Sequence, residues 1–196
     1  MKKIIALLLA LATVFAFAAC GNNASTTPTT TEAKVEVPES ALVILETVWN
    51  SYAEEEKFFA MGGSYDEDET KNNMVDGAPG KYDLANEGMT TSLMAPADQL
   101  ANITDAASLM NGMMANHFTG AAFRVTDAAA FAEAMHTSIA SAQWICGQPE
   151  KLLVVIVGGE YVVAAFGLAD QLDNFASKLS AAYPDAEVKY NEAIAG

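Results

Sequence analysis

Arginine is almost missing from this chain, and histidine and cysteine occur only twice each among its 196 residues. The only arginine is Arg124, and apart from Lys2-Lys3 the lysines stand singly. With those two set aside, eight basic residues face twenty-five acidic ones, a formal charge of −17. A field of that sign repels nucleic-acid phosphates and anionic headgroups, and no basic cluster offsets it, so binding to nucleic acid or directly to headgroups is not expected. The acidity serves solubility. The catalytic vocabulary is equally thin: there is no Gly-x-Ser-x-Gly elbow, no His-Glu-x-x-His and no Cys-x-x-Cys. Gly80-Lys81 lacks both the upstream Gly and the following Ser or Thr of a phosphate loop. No catalytic residue, no cofactor and no enzymatic activity are expected.

What is present starts at Met1-Lys2-Lys3, after which residues 4–19 are apolar except for Thr13 and small residues lead into Cys20. This is the order of n-region, h-region and cleavage site in a secretory signal peptide. A membrane-spanning helix needs ~20 apolar residues, whereas here sixteen are followed at once by Gly21-Asn22-Asn23 with no basic stop-transfer cluster. Ala18, Ala19 and Cys20 match the lipobox of bacterial lipoproteins, and Phe17 departs from the leucine at its first position. The segment therefore resembles a lipoprotein signal peptide. That resemblance implies lipid attachment at Cys20, with palmitate among the acyl chains, and a membrane anchor at the outer face of the bacterial cell membrane. The alternative is ordinary cleavage after Ala18 of Ala16-Phe17-Ala18, which releases a soluble protein beginning Ala19-Cys20. With Cys20 consumed by lipid, Cys146 is the one thiol left, an internal disulfide is excluded, and the exported domain must rest on its core.

Three segments follow: a signal peptide at 1–19, a flexible tether at 20–38 and a single globular domain at 39–196. The tether is rich in Asn, Thr, Ser and Pro without hydrophobic period, and as a flexible coil it spans ~25 Å. Ser40 is placed to cap a first amphipathic helix over 41–56. Residues 62–88 gather Gly, Asn and acidic side chains into a long acidic loop, expected to be mostly disordered. A short strand is expected at 89–94 and one or two helices at 98–116, with Leu100, Ile103, Ala107, Met110 and Met114 inward. Then come a strand at 118–125, a helix capped by Thr126-Asp127, strands at 152–157 and 161–166 around Gly158-Gly159, a helix stopped by Pro184, and a strand at 186–190. The order βαββαβ over 118–190 is that of the ferredoxin-like split βαβ arrangement, with both helices on one face. The strands at 152–157 and 161–166 are apolar on both faces, so the N-terminal helices are expected to cover the second face, giving an α/β (α+β) domain in three layers.

Met110, Met113, Met114 and His117 fall at i, i+3, i+4 and i+7 of the expected helix, a soft-metal set in one reading and a packing stripe in the other. Asp66 and Asp68 are spaced like the first ligands of an EF-hand loop, but Lys71 and Gly77 occupy the positions that need Gly and Glu, which leaves at most weak calcium binding. His136 is expected on the solvated side of its helix beside Glu133. Cys146 and Trp144 share a turn that reads as packing rather than as a reactive thiol site. Through the lipobox, Trp144-Ile145-Cys146-Gly147 and the strand from Gly159 to Gly167, the chain resembles small uncharacterised lipoproteins of Clostridia-type Gram-positive bacteria that carry a domain of unknown function. The resemblance implies a Gram-positive cell surface and no activity. The function expected is that of a membrane-anchored extracytoplasmic binding or interaction module for a protein or small-molecule ligand, the alternative being a metal-handling lipoprotein. Mass measurement of the mature N-terminus tests the address: a lipid-modified Cys20 is expected, and an unmodified Ala19 start removes the anchor.

Overall fold

A computed structural model describes residues 37–145 and 147–195, so the expected signal peptide, most of the expected tether, Cys20 and Cys146 lie outside the described residues. The first helix, α1 (Ala41–Asn50), starts where Ser40 Oγ accepts from Val43 N at 3.2 Å. A second free N–H group is taken from across the domain, Ala41 N donating to Asp105 Oδ2 at 2.8 Å. The helix ends at Asn50 rather than near 56, because Ser51 Oγ and the Ser51 and Tyr52 amides close its last turn. Three consecutive glutamates are also ill placed at a helix C-terminus, and Glu54–Glu56 form a separate 3-10 turn instead.

The remaining elements are β1 (Ala60–Gly62), β2 (Val75–Asp76), β3 (Gly80–Lys81), α2 (Gly88–Thr91), β4 (Ile103–Asn111), β5 (Phe118–Val125), α3 (Ala128–Ala140), β6 (Lys151–Val157), β7 (Tyr161–Gly167), α4 (Ala169–Ala182) and β8 (Glu187–Ala193). Two expectations are corrected. The segment 89–94 is not a strand: Asn86 Oδ1 accepts from Gly88 N at 2.8 Å and starts the single turn α2. The segment 98–116 is a 3-10 turn followed by strand β4, not helix. Ala106, Ala107, Ser108 and Leu109 are all buried in β4, and a run of strand covered on both faces carries no period that separates it from a buried helix.

The strand order is β2-β1-β4-β5-β7-β6-β8, with β3 also on β4, and every pair is antiparallel. In the ferredoxin-like arrangement the last strand returns beside the first of the four, but here β4 already occupies that side of β5 and β8 pairs with β6 instead. The consequence follows from handedness. The crossovers β5-α3-β6 and β7-α4-β8 step the same way along the sheet while β5 and β7 run in opposite directions, so right-handed connections put α3 and α4 on opposite faces. The packing agrees: Phe131, Met135 and Ile139 of α3 pack with Leu152, Val154, Val162 and Ala164. Leu172, Phe175 and Leu179 of α4 share the other face with α1, against Leu153, Val155, Tyr161 and Val163. The second face is therefore covered by α1 together with α4, and the expectation of both later helices on one face is corrected.

Residues 62–88 form an ordered structure built from polar side chains. Asn73 Oδ1 accepts from Ser64 N and Oγ at 2.7 and 2.8 Å, and Ser108 Oγ reaches in from β4 to donate to Gly63 O at 3.0 Å. Gly62 is required here, since a Cβ on it would stand 2.1 Å from Gly80 N. These contacts predict two effects on chemical denaturation of the purified protein. Ser108→Ala, which strips Gly63 O of its buried donor, should cost ~1–3 kcal/mol. Phe175→Ala, which opens the α4 face, should cost ~3–5 kcal/mol.

Candidate functional site

The methionine stripe does not survive as a stripe. Met110 is half-buried on β4 against the α3-side core, Met113 and Met114 lie exposed in the turn after it, and His117 ends a 3-10 turn whose carbonyl accepts from Leu168 N at 2.9 Å. The helical frame that placed the four together is absent, because a strand sends successive side chains to opposite faces. Asp66 and Asp68 spend oxygens on their own turns, on Asp68 N and on the Thr70 amide and hydroxyl respectively, and those Thr70 bonds hold the Asp68 carboxyl below its usual range. Among the described residues, no three His, Cys, Asp or Glu side chains come together in a way that could hold a metal ion.

His136 departs from expectation too. Its ring stacks on Tyr190 at 3.9 Å with 14° between planes, and Nε2 lies 2.7 Å from Glu192 Oε1, so it ties α3 to the edge strand β8 rather than facing solvent beside Glu133. Trp144 lies against Phe166 with ring centroids 4.8 Å apart, while its buried Nε1 finds no partner among the described residues. Cys146 falls outside the described residues. The flanking turn is nonetheless held, since Asn116 Nδ2 donates to Ile145 O and Gly147 O at 3.0 and 2.6 Å.

Two features do gather chemistry. The first is an open cleft of about 610 Å³ within the 62–88 segment, with Tyr65, Asp66, Glu67, Tyr82, Asn86 and Glu87 in its lining together with Met110 of β4. Asn86 organises it, its Nδ2 donating to Tyr65 O at 2.7 Å and its Oδ1 accepting from Gly88 N. Tyr82 is only 3% exposed, and its hydroxyl meets Asn86 Oδ1 at 3.5 Å, longer than an ordinary hydroxyl hydrogen bond. Burial pushes that phenol up in spite of help from Ser92, so it stays protonated. Gly88 leaves the space the hydroxyl occupies, a Cβ there standing 2.1 Å from Tyr82 Oη.

The second is an apolar end of the sheet, where Phe59 (56% exposed), Met113 (81%), Met114 (42%) and Ile145 (81%) surround the β4–β5 turn. Gly112 N bonds Phe59 O at 2.8 Å, and Asn116 brings the Ile145 turn to the same place. The described chain begins at the opposite end, with Val37 and Pro38 packed on Gly158 between β6 and β7. Sequence reasoning passed over Tyr82, Asn86 and Phe59 and quoted Ile145 only within a motif, because each acquires its meaning from a neighbour distant in sequence.

Comparisons with known proteins find no matching family model, no matching curated protein and no matching solved structure. The cleft geometry predicts a coupled pair of effects on stability. Gly88→Ala should lower it by ~1–3 kcal/mol, and in a Tyr82→Phe background, which removes the crowded oxygen, most of that loss should disappear in a double-mutant cycle followed by denaturant titration.

Proposed function

We propose that the protein is a non-enzymatic interaction module, lipid-anchored through Cys20 at the outer face of a Gram-positive cell membrane, that docks a protein partner on the apolar end of its sheet. The observation that carries this reading is the placement of Phe59, Met113, Met114 and Ile145 at the end of the sheet away from Val37-Pro38. From Phe118 to Arg124 the two ends are separated by ~20 Å of strand at ~3.4 Å per residue. Exposed apolar groups gathered at one place mark interaction surfaces. The acidic character of the chain disfavours two other occupants, an anionic lipid surface and a second copy of equal charge. The non-enzymatic part rests on where the ionisable groups are spent: His136 on Tyr190 and Glu192, Arg124 on Glu160, Lys178 on Glu56. Of the ferredoxin-like reading, the unit kept is β5-α3-β6 with β7 inserted.

Photo-crosslinking in intact cells tests the docking end. A photo-reactive residue at Met113 or at Ile145 should capture the same protein, and one at Glu46 on the exposed side of α1 should not. Met113→Asp with Ile145→Asp should abolish capture from a photo-reactive residue at Phe59 while leaving circular dichroism and membrane fractionation unchanged. Equal capture from Glu46, or none from the apolar end, counts against the reading.

A further inference from the structure

Of the methionines within the described residues, only Met113 (81%) and Met114 (42%) are exposed, and both stand at the apolar end. Met89 and Met135 are sealed in the core, and Met110 is half-buried against it. Backbone bonds fix the turn that carries the two exposed thioethers. Asn111 Oδ1 accepts from Met113 N at 3.0 Å and from Met114 N at 3.2 Å, and His117 N donates to Met114 O at 2.9 Å. None of these bonds uses a sulfur, so a change at sulfur leaves the turn standing. The three segments that meet at this end, 57–65, 106–126 and 134–149, also contain none of the chain's twenty-five acidic residues. Its hold on a partner is therefore apolar, with no carboxylate of these segments to support it.

We propose, resting on the docking function of this end, that Met113 and Met114 form an oxidation site through which hydrogen peroxide switches docking off. The thioether sulfur attacks one peroxide oxygen: an S–O bond forms, the O–O bond breaks, and the sulfur gives up two electrons. The departing hydroxide takes the remaining hydroxyl proton and leaves as water. The product is methionine sulfoxide, a polar and chiral side chain in place of a flexible apolar one. Beside Phe59 and Ile145 it sets a strong dipole against whatever apolar surface docks there, and a buried dipole without a hydrogen-bond partner is costly. Access orders the sulfurs, Met113 first, Met114 next, Met89 and Met135 last. A docked partner covers the same two sulfurs, so the undocked protein is the form that reacts, and its oxidation prevents docking again. With Cys20 lipidated, Cys146 is the one thiol left, and no intramolecular disulfide offers a rival switch.

Two measurements on the full chain test this. With the purified protein anchored in phosphatidylcholine vesicles, hydrogen peroxide followed by peptide mass mapping should add one oxygen to Met113 and to Met114 at least tenfold faster than to Met89 or Met135, with Met113 leading and circular dichroism unchanged. In cells, peroxide should lower capture from a photo-reactive residue at Phe59 at least fivefold, and the enzymes that reduce methionine sulfoxide, one for each epimer, should restore it. Met113→Leu with Met114→Leu, scored by its own ratio of capture with and without peroxide, should lose less than twofold. Oxidation of all the methionines at similar rates overturns the site. Equal loss in the leucine variant overturns the switch, and so does recovery with dithiothreitol alone, which reverses sulfenic acid or disulfide at Cys146 but not a sulfoxide. Absence of capture before peroxide removes the docking reading and the switch with it, while the mass map still decides the oxidation site.

Discussion

Strands β6 and β7 carry apolar side chains on both faces, and neither face can be left to water. Leu152, Val154 and Ile156 point one way from β6, while Leu153, Val155 and Val157 point the other. Burying each such side chain contributes ~1.5–3 kcal/mol, so an uncovered face would forgo a large part of the marginal stability of the domain. The topology answers this by dividing the helices, α3 to one face and α4 with α1 to the other. A row of aromatic rings seals the second face, running from Trp49 through Phe58 and Phe118 to Phe175 at centroid separations of 5.1 to 5.2 Å.

That division depends in turn on β4. By pairing with β5 along seven residue pairs it fills the sheet position that a ferredoxin-like last strand would take, and β8 is displaced to the far edge. The displaced strand is a managed edge, with Glu187, Lys189 and Glu192 along it and the His136 ring stacked on Tyr190. The opposite edge is closed by the short strands β1, β2 and β3, whose connections are held by Asn73, Ser64 and Ser108. Both gathered features lie where the sheet ends, the cleft within the 62–88 segment and the apolar groups around the β4–β5 turn. Core strands are committed to packing, and groups that can meet a ligand are left to the margins.

Elements with strong local signals were legible from the chain alone. Asp127 caps α3 by accepting from Ala130 N, Phe131, Met135 and Ile139 form its inner face, and Pro184 follows the end of α4. Strands β5, β6 and β7 stand where their apolar runs placed them, to within a residue. The misread segments share one cause. In 98–116 a buried strand of small residues mimics helical spacing, and in 62–88 a Gly-Asn-Asp composition that usually stays solvated is ordered by partners as distant as Ser108.

Local chemistry therefore determined the caps, the amphipathic helices, the apolar strands and the demand that both sheet faces be covered, since each is a property of residues within a turn or two of one another. Tertiary structure alone decided which edge received β8, which face received α4, and that Asn86 would meet the Tyr65 carbonyl. Those outcomes rest on competition for sheet positions and on contacts across tens of residues, and nothing in a local window of sequence encodes them.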